Sequence, residues 1–146
     1  MRELVDRILA NKVMFGMSLA GGGTVAISEL LRHGGGSAVL DCAHVYYSKD
    51  ALHAISGHLN THVCSAVVAR ELAQLAWINV SCRFGVGCTA VLKSVGNEPV
   101  VREGHAYLAK HGEHMTEKHV TFPHSITREE QEELLAVEIF KLILGE

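Results

Sequence analysis

Apolar residues Leu4, Val5, Ile8 and Leu9 recur at helical spacing, which predicts an amphipathic helix over residues 2–11. The next apolar stretch has no such period. Val13 to Leu19 is continuous and of strand length, and it runs into Gly21-Gly22-Gly23-Thr24, where a helix is expected to begin with Thr24 as its cap. That helix carries Val25, Ala26, Ile27, Leu30 and Leu31 and is expected to stop at His33-Gly34-Gly35-Gly36. Residues 37–47 read as extended chain, with Ser48 capping a short helix over 49–55 that Gly57 ends.

A longer helix is expected from about Ser65 to Ile78, its apolar positions covering more than one face, as suits a helix lying on a sheet. The stretch 82–92 reads as a strand with internal glycines, followed by a turn over 93–99. Residues 101–110 and 113–122 alternate imperfectly around Gly112, which suits a partly solvated antiparallel hairpin stopped by Pro123. Thr127-Arg128-Glu129-Glu130 has the form of a capping box, and Leu134, Leu135, Val137, Ile139, Phe140, Leu142 and Ile143 carry the last helix to residue 144. Strands interleaved with helices and closed by a hairpin predict an α/β fold: a three-layer α/β/α single domain over residues 1–146 with a mixed β-sheet.

Length and composition narrow the picture. A chain of 146 residues, 48% of them hydrophobic, can fill one core. Thirteen Lys and Arg stand against sixteen Asp and Glu, a formal charge of −3, so there is no basic field for a phosphate backbone and nucleic acid is not an expected partner. No run of 18 apolar residues occurs and no membrane span is expected. The first residues carry acids and no apolar segment of the signal-peptide kind, which points to a cytoplasmic protein. Cys42, Cys64, Cys82 and Cys88 fit no Cys-x-x-Cys spacing and read as buried free thiols.

Chemistry concentrates at the first glycine run. In a strand, glycine loop, helix unit, the N–H groups of the loop and first helical turn converge, so Gly21, Gly22, Gly23 and Thr24 could hold a phosphate or a developing oxyanion. The loop has neither a P-loop lysine nor a full dinucleotide fingerprint, and a tight turn is the plainer reading. Ser18, just before it, is a candidate nucleophile or an ordinary strand-end serine. His58-x-x-x-His62 with Cys64, and His111-x-x-His114 with His119, are metal-ligand candidates set aside because no carboxylate completes either set. The acidic run Glu129, Glu130, Glu132, Glu133 suits a helix N-terminus.

The order of these motifs resembles the CinA C-terminal domain family, whose enzymatic members are nicotinamide mononucleotide deamidases. Ser18-Leu19-Ala20-Gly21-Gly22 is similar to the family's Ser-x-Thr-Gly-Gly, and Gly35-Gly36-Ser37-Ala38 to its Pro-Gly-Ser-Ser-Ala turn. Val45-Tyr46-Tyr47-Ser48-Lys49-Asp50-Ala51-Leu52 looks like its Val-x-Tyr-Ser-Asn-Glu-Ala-Lys segment. Val63-Cys64-Ser65, the strand around Gly85 and Gly87, and Thr127-Arg128 follow in the family's order. The resemblance implies catalysis by Ser18, with Tyr47 positioning a proton, Gly21 to Gly23 holding the oxyanion and Arg128 binding the phosphate. It implies no cofactor, a small nucleotide as ligand, and a homo-oligomer.

The departures fall on the chemistry. The family's lysine base is Leu52 here, with Lys49 one turn earlier as a substitute, and its threonine is Ala20. Aligning on Gly22-Gly23 instead would put Leu19 at the serine position. Two readings follow: an active deamidase, or a catalytically silent relative that binds a nucleotide or phosphate ligand or serves as an interaction module.

Overall fold

The structure, a computed structural model, describes residues 1–56, 63–93 and 104–146. Among them, α1 (Arg2–Asn11), α2 (Thr24–Arg32), α3 (Lys49–His53), α4 (Ala66–Ala76) and α5 (Arg128–Leu144) flank one sheet of β1 (Phe15–Ala20), β2 (Leu40–Val45), β3 (Phe84–Val91), β4 (Gly104–His111) and β5 (Met115–Phe122). The strand order is β2-β1-β3-β4-β5. β1 is parallel to β2 and β3, whereas β3–β4 and β4–β5 are antiparallel. This is the expected mixed sheet in a three-layer α/β/α arrangement.

β1 reads as a continuous apolar run because helices cover both of its faces, so every residue in it is buried. Phe15, Met17 and Leu19 enter the larger core with Val5, Ile8, Leu30, Ile139 and Phe140, beneath α1, α2 and α5. Gly16, Ser18 and Ala20 alternate to the opposite face. There α4 lies so close that a Cβ on Gly16 would stand 2.0 Å from the Ala76 carbonyl oxygen. Ala20, at the other end of the strand, packs with Leu52, Val68 and Leu72. The internal glycines of β3 have the same cause, since a Cβ on Gly87 would stand 2.2 Å from the Ala69 oxygen and 2.4 Å from the Ala73 nitrogen.

Several boundaries differ from the sequence reading. Thr24 is the first residue of α2, and the cap is Gly23 at φ 105°, a left-handed conformation that glycine takes without steric cost. The stretch read as extended from residue 37 begins with a 3₁₀ turn, Gly36–Ala38, before β2. The long helix ends at Ala76 because the Trp77 indole donates to the Cys82 carbonyl at 2.8 Å, which turns the chain toward β3. Ser48 caps α3 as expected, its Oγ accepting from the Ala51 nitrogen at 3.0 Å. The Thr127–Glu130 capping box forms. All four cysteines are free, but Cys42 and Cys64 are only half-buried, which corrects the reading of four buried thiols. Gly57, the His58–His62 pair, most of the 93–99 turn and the start of the 101–110 strand lie outside the described residues.

The connection from β1 through α2 leads to β2 on one side of β1, and the return through α4 leads to β3 on the other. The chain therefore passes from β1 to its neighbour on one side, β2, and from β3 to its neighbour on the other side, β4, although β1 and β3 are themselves parallel. The crevice beyond their carboxyl ends is where open α/β sheets bind ligands.

Candidate functional site

A cleft of about 330 Å³ occupies that place. Its floor is Ala20 and Gly21 from the end of β1 and Ala90 and Val91 from the end of β3. One rim is the segment after β2, held by the Tyr46 nitrogen donating to the Leu19 carbonyl at 2.8 Å. Tyr47 stands 73% exposed on this rim, and the Ser48 cap sets Lys49 in the first turn of α3 at the mouth. The other rim is Arg128, the first residue of α5. Its guanidinium donates to the Lys93 carbonyl at 3.1 Å and to the Gly21 carbonyl at 3.4 Å, bridging the end of β3 to the glycine loop. Among the described residues, two cations and no carboxylate line the cleft, so its field favours an anion.

Gly21 is glycine for two reasons. Its φ of 81° is left-handed, and a Cβ there would stand 2.1 Å from the Ala90 carbonyl oxygen. The loop thus rests directly on β3. The free thiol of Cys88 donates to the Gly22 carbonyl from beneath at 3.8 Å, and burial pushes its pKa far above the ordinary thiol range. Burial likewise raises the pKa of Cys64, whose Sγ donates to the Thr89 carbonyl at 3.4 Å, so neither thiol supplies a ready nucleophile. The Thr89 hydroxyl donates to the Val63 carbonyl at 2.8 Å and fixes Val63 in the cleft wall.

Of the residues singled out in the sequence, Gly21, Tyr47, Lys49 and Arg128 come together in this cleft. Ser18, Gly22, Gly23 and Thr24 do not line it. Ser18 is 0% exposed, lies opposite Gly87 in the β1–β3 register, and faces α4 between Gly16 and Ala20. Its Oγ is buried and has no hydrogen-bond partner among the described residues. The Gly23 amide, expected to be open to an anion, donates instead to Glu132 Oε2 at 2.9 Å. A carboxylate of the chain itself occupies that helix N-terminus. Leu52, at the position of the family's lysine, is in the cleft wall and 3% exposed.

Two neighbouring side chains of α5 escaped sequence reasoning. Glu132 was legible only as one acid in a helix-end run. Gln131 is fully buried, accepting from the Lys93 nitrogen at 2.7 Å and donating to the Pro123 carbonyl at 3.4 Å, so it clamps the ends of β3 and β5. An uncharged polar residue within an amphipathic helix is the only signal it left. No group of three or more His, Cys, Asp or Glu side chains among the described residues is placed to hold a metal ion. No helix among them is long and apolar enough to cross a membrane.

Fold and cleft together define an open α/β protein with a crevice at its switch point whose lining includes Lys49 and Arg128. Solved structures place that fold with the competence/damage-inducible proteins. The protein CihA from Agrobacterium tumefaciens superposes with a TM-score of 0.77 at 22% identity, covering 99% of this chain and 93% of that one. ComA from Klebsiella pneumoniae gives 0.74 at 14% identity, over 99% and 95% of the two chains. A CinA superfamily protein from Klebsiella pneumoniae 700603 gives 0.69 at 13%, over 99% and 98%. No protein-family model and no curated protein matches the sequence. The chain is therefore CinA-like in fold, across its whole length, and divergent in sequence.

Proposed function

We propose that this chain is a divergent CinA-like protein that binds a phosphate-bearing nucleotide of the nicotinamide mononucleotide class without hydrolysing it. The observation that carries the reading is the separation of the two halves of the chemistry. Lys49 and Arg128 line the cleft, whereas Ser18 is sealed beneath α4. An Arg and a Lys at opposite rims suit a phosphate dianion, the guanidinium by paired hydrogen bonds and the ammonium as a point charge. The exposed Tyr47 ring offers a surface for a base to stack on.

Amide hydrolysis needs a nucleophile about 3–3.5 Å from the carbonyl carbon and a base to take its proton. Ala20 is the side chain that β1 gives to the cleft, and Leu52 carries no proton. The deamidase remains the second reading because Tyr47, Lys49, Arg128 and Gly21 do share one cleft. In that reading Lys49 would be the base, and Ser18 would have to be uncovered by movement of α4.

Four free thiols suit a reducing compartment, which supports the cytoplasm. The edge strand β2, with Val45 48% exposed, supports a homo-oligomer. A single domain over residues 1–146 belongs to the same proposal.

The test is purified protein given nicotinamide mononucleotide, with heat of binding and ammonia release followed on the same samples. Saturable binding with ammonia at the level of the protein-free blank is the expected result. Ammonia release that Ser18→Ala abolishes would overturn it in favour of the deamidase.

A further inference from the structure

His105 and His119, on the β4–β5 hairpin and outside the cleft lining, face one another with His105 Nδ1 3.2 Å from His119 Nε2. Register explains the meeting. Tyr107 pairs with His119 and His105 with Thr121, so the two histidines are diagonal neighbours on one face of the hairpin. It is the face on which α4 packs, since Ala109 two residues further along β4 is buried against Ala69 and Ala73. Tyr107 steadies both rings. The His119 ring stacks on the phenol ring with centroids 4.1 Å apart and planes within 9°, and His105 meets it edge-on at 5.8 Å and 75°.

Two imidazole nitrogens that share one ion at about 2.0–2.1 Å stand about 3.3 Å apart in a tetrahedral set and about 2.9 Å apart at right angles. The observed separation falls inside that interval. His119 is exposed and His105 half-buried, so the outer side of an ion held between them is open to water. We propose that His105 Nδ1 and His119 Nε2 form a two-histidine chelate for a divalent first-row transition-metal ion, with water completing its coordination.

Each ring binds as the neutral imidazole, with its proton on the far nitrogen: Nε2 of His105 and Nδ1 of His119. The acid on this face, Glu117, is engaged by Arg70 at 2.5 Å. With two protein ligands and open positions, the site is of the exchangeable kind, not the closed four-ligand kind that holds a fold together.

Cu²⁺ is the natural probe, since it heads the affinity order for nitrogen ligands. The full chain is titrated with Cu²⁺ at pH 7.5 by calorimetry, with electron paramagnetic resonance on the one-equivalent sample. One ion per chain is expected, with a splitting pattern from two nitrogens. His105→Gln and His119→Gln should each raise Kd at least tenfold and remove one nitrogen from the pattern. His114→Gln, at an exposed histidine outside the pair, should change neither. A Kd and a spectrum unmoved by either pair variant would overturn the proposal by placing the ion on other histidines. Failure to retain one equivalent would overturn it by leaving the pair as a hydrogen bond only.

Discussion

The Gly23 amide nitrogen donates to Glu132 Oε2 at 2.9 Å, joining the N-terminus of α2 to the second turn of α5 across 109 residues of sequence. The glycine loop that looks in sequence like an open anion cradle thus carries a built-in anion. A charge-assisted, partly buried hydrogen bond of this kind contributes about 1.5–3 kcal/mol. Glu132→Ala is expected to lower stability by that amount in urea unfolding, and Glu132→Gln by less. A loss under 0.5 kcal/mol for the alanine variant would contradict the assignment.

Ser18 gives a prediction of opposite sign. A buried hydroxyl without a partner costs about 1–3 kcal/mol, so Ser18→Ala is expected to leave the protein as stable or about 1 kcal/mol more stable. Nucleotide binding should not change. A destabilised variant, or one that loses ligand, would show that the hydroxyl makes a contact that matters.

α4 lies on the backbone of β3, and Gly87 has backbone on the α4 side where a Cβ would go. Backbone cannot step aside as a side chain can. Gly87→Ala should therefore cost roughly 3 kcal/mol, the upper end of overpacking effects, and lower Tm in a thermal scan. Gly34→Ala carries strain only from its φ of 82°, with nothing within 4 Å of the added carbon, and should cost about 1 kcal/mol. Equal losses at the two sites would contradict the packing described.

Glu138 sets part of the acid limit. Burial pushes its carboxyl pKa up, but Lys118 at 3.0 Å and Lys141 at 3.2 Å outweigh burial and hold it below the usual value. A carboxylate depressed on folding contributes stability that is present above its unfolded pKa of about 4.3 and is lost as pH falls through the folded value. Glu138→Gln should cost about 0.5–1 kcal/mol at pH 7 and flatten the fall in stability below about pH 4.5. Urea midpoints from pH 7 to pH 3 give the comparison, and an unchanged acid limb would contradict it.

What the sequence showed depended on how local the cause was. The capping box of α5 and the Ser48 cap were readable because each is settled within four residues. The glycine-bearing strand β3 was readable as a strand, but that its glycines face α4 was not. β1 hid the most, because a strand buried on both faces has no polar alternation to show which side Ser18 takes. Gly23 displaced Thr24 as cap because the turn takes a φ of 105°, which glycine adopts without steric cost, and its own amide finds an acceptor in Glu132, far away in sequence. Tyr47, Lys49 and Arg128 were found through the resemblance, and the structure brings them to one cleft. The Leu52 departure was legible from the same segment.

In the proposed reading, Arg128 and the cleft recognise a phosphate. The most direct measurement compares calorimetric titrations of nicotinamide mononucleotide and nicotinamide riboside, which differ by that phosphate, into the wild-type protein and Arg128→Ala, with Tm recorded for both proteins. The mononucleotide is expected to bind at least tenfold more tightly than the riboside, and Arg128→Ala to remove most of the difference while remaining folded. Equal affinity for the two ligands, or a preference untouched by Arg128→Ala, would contradict it.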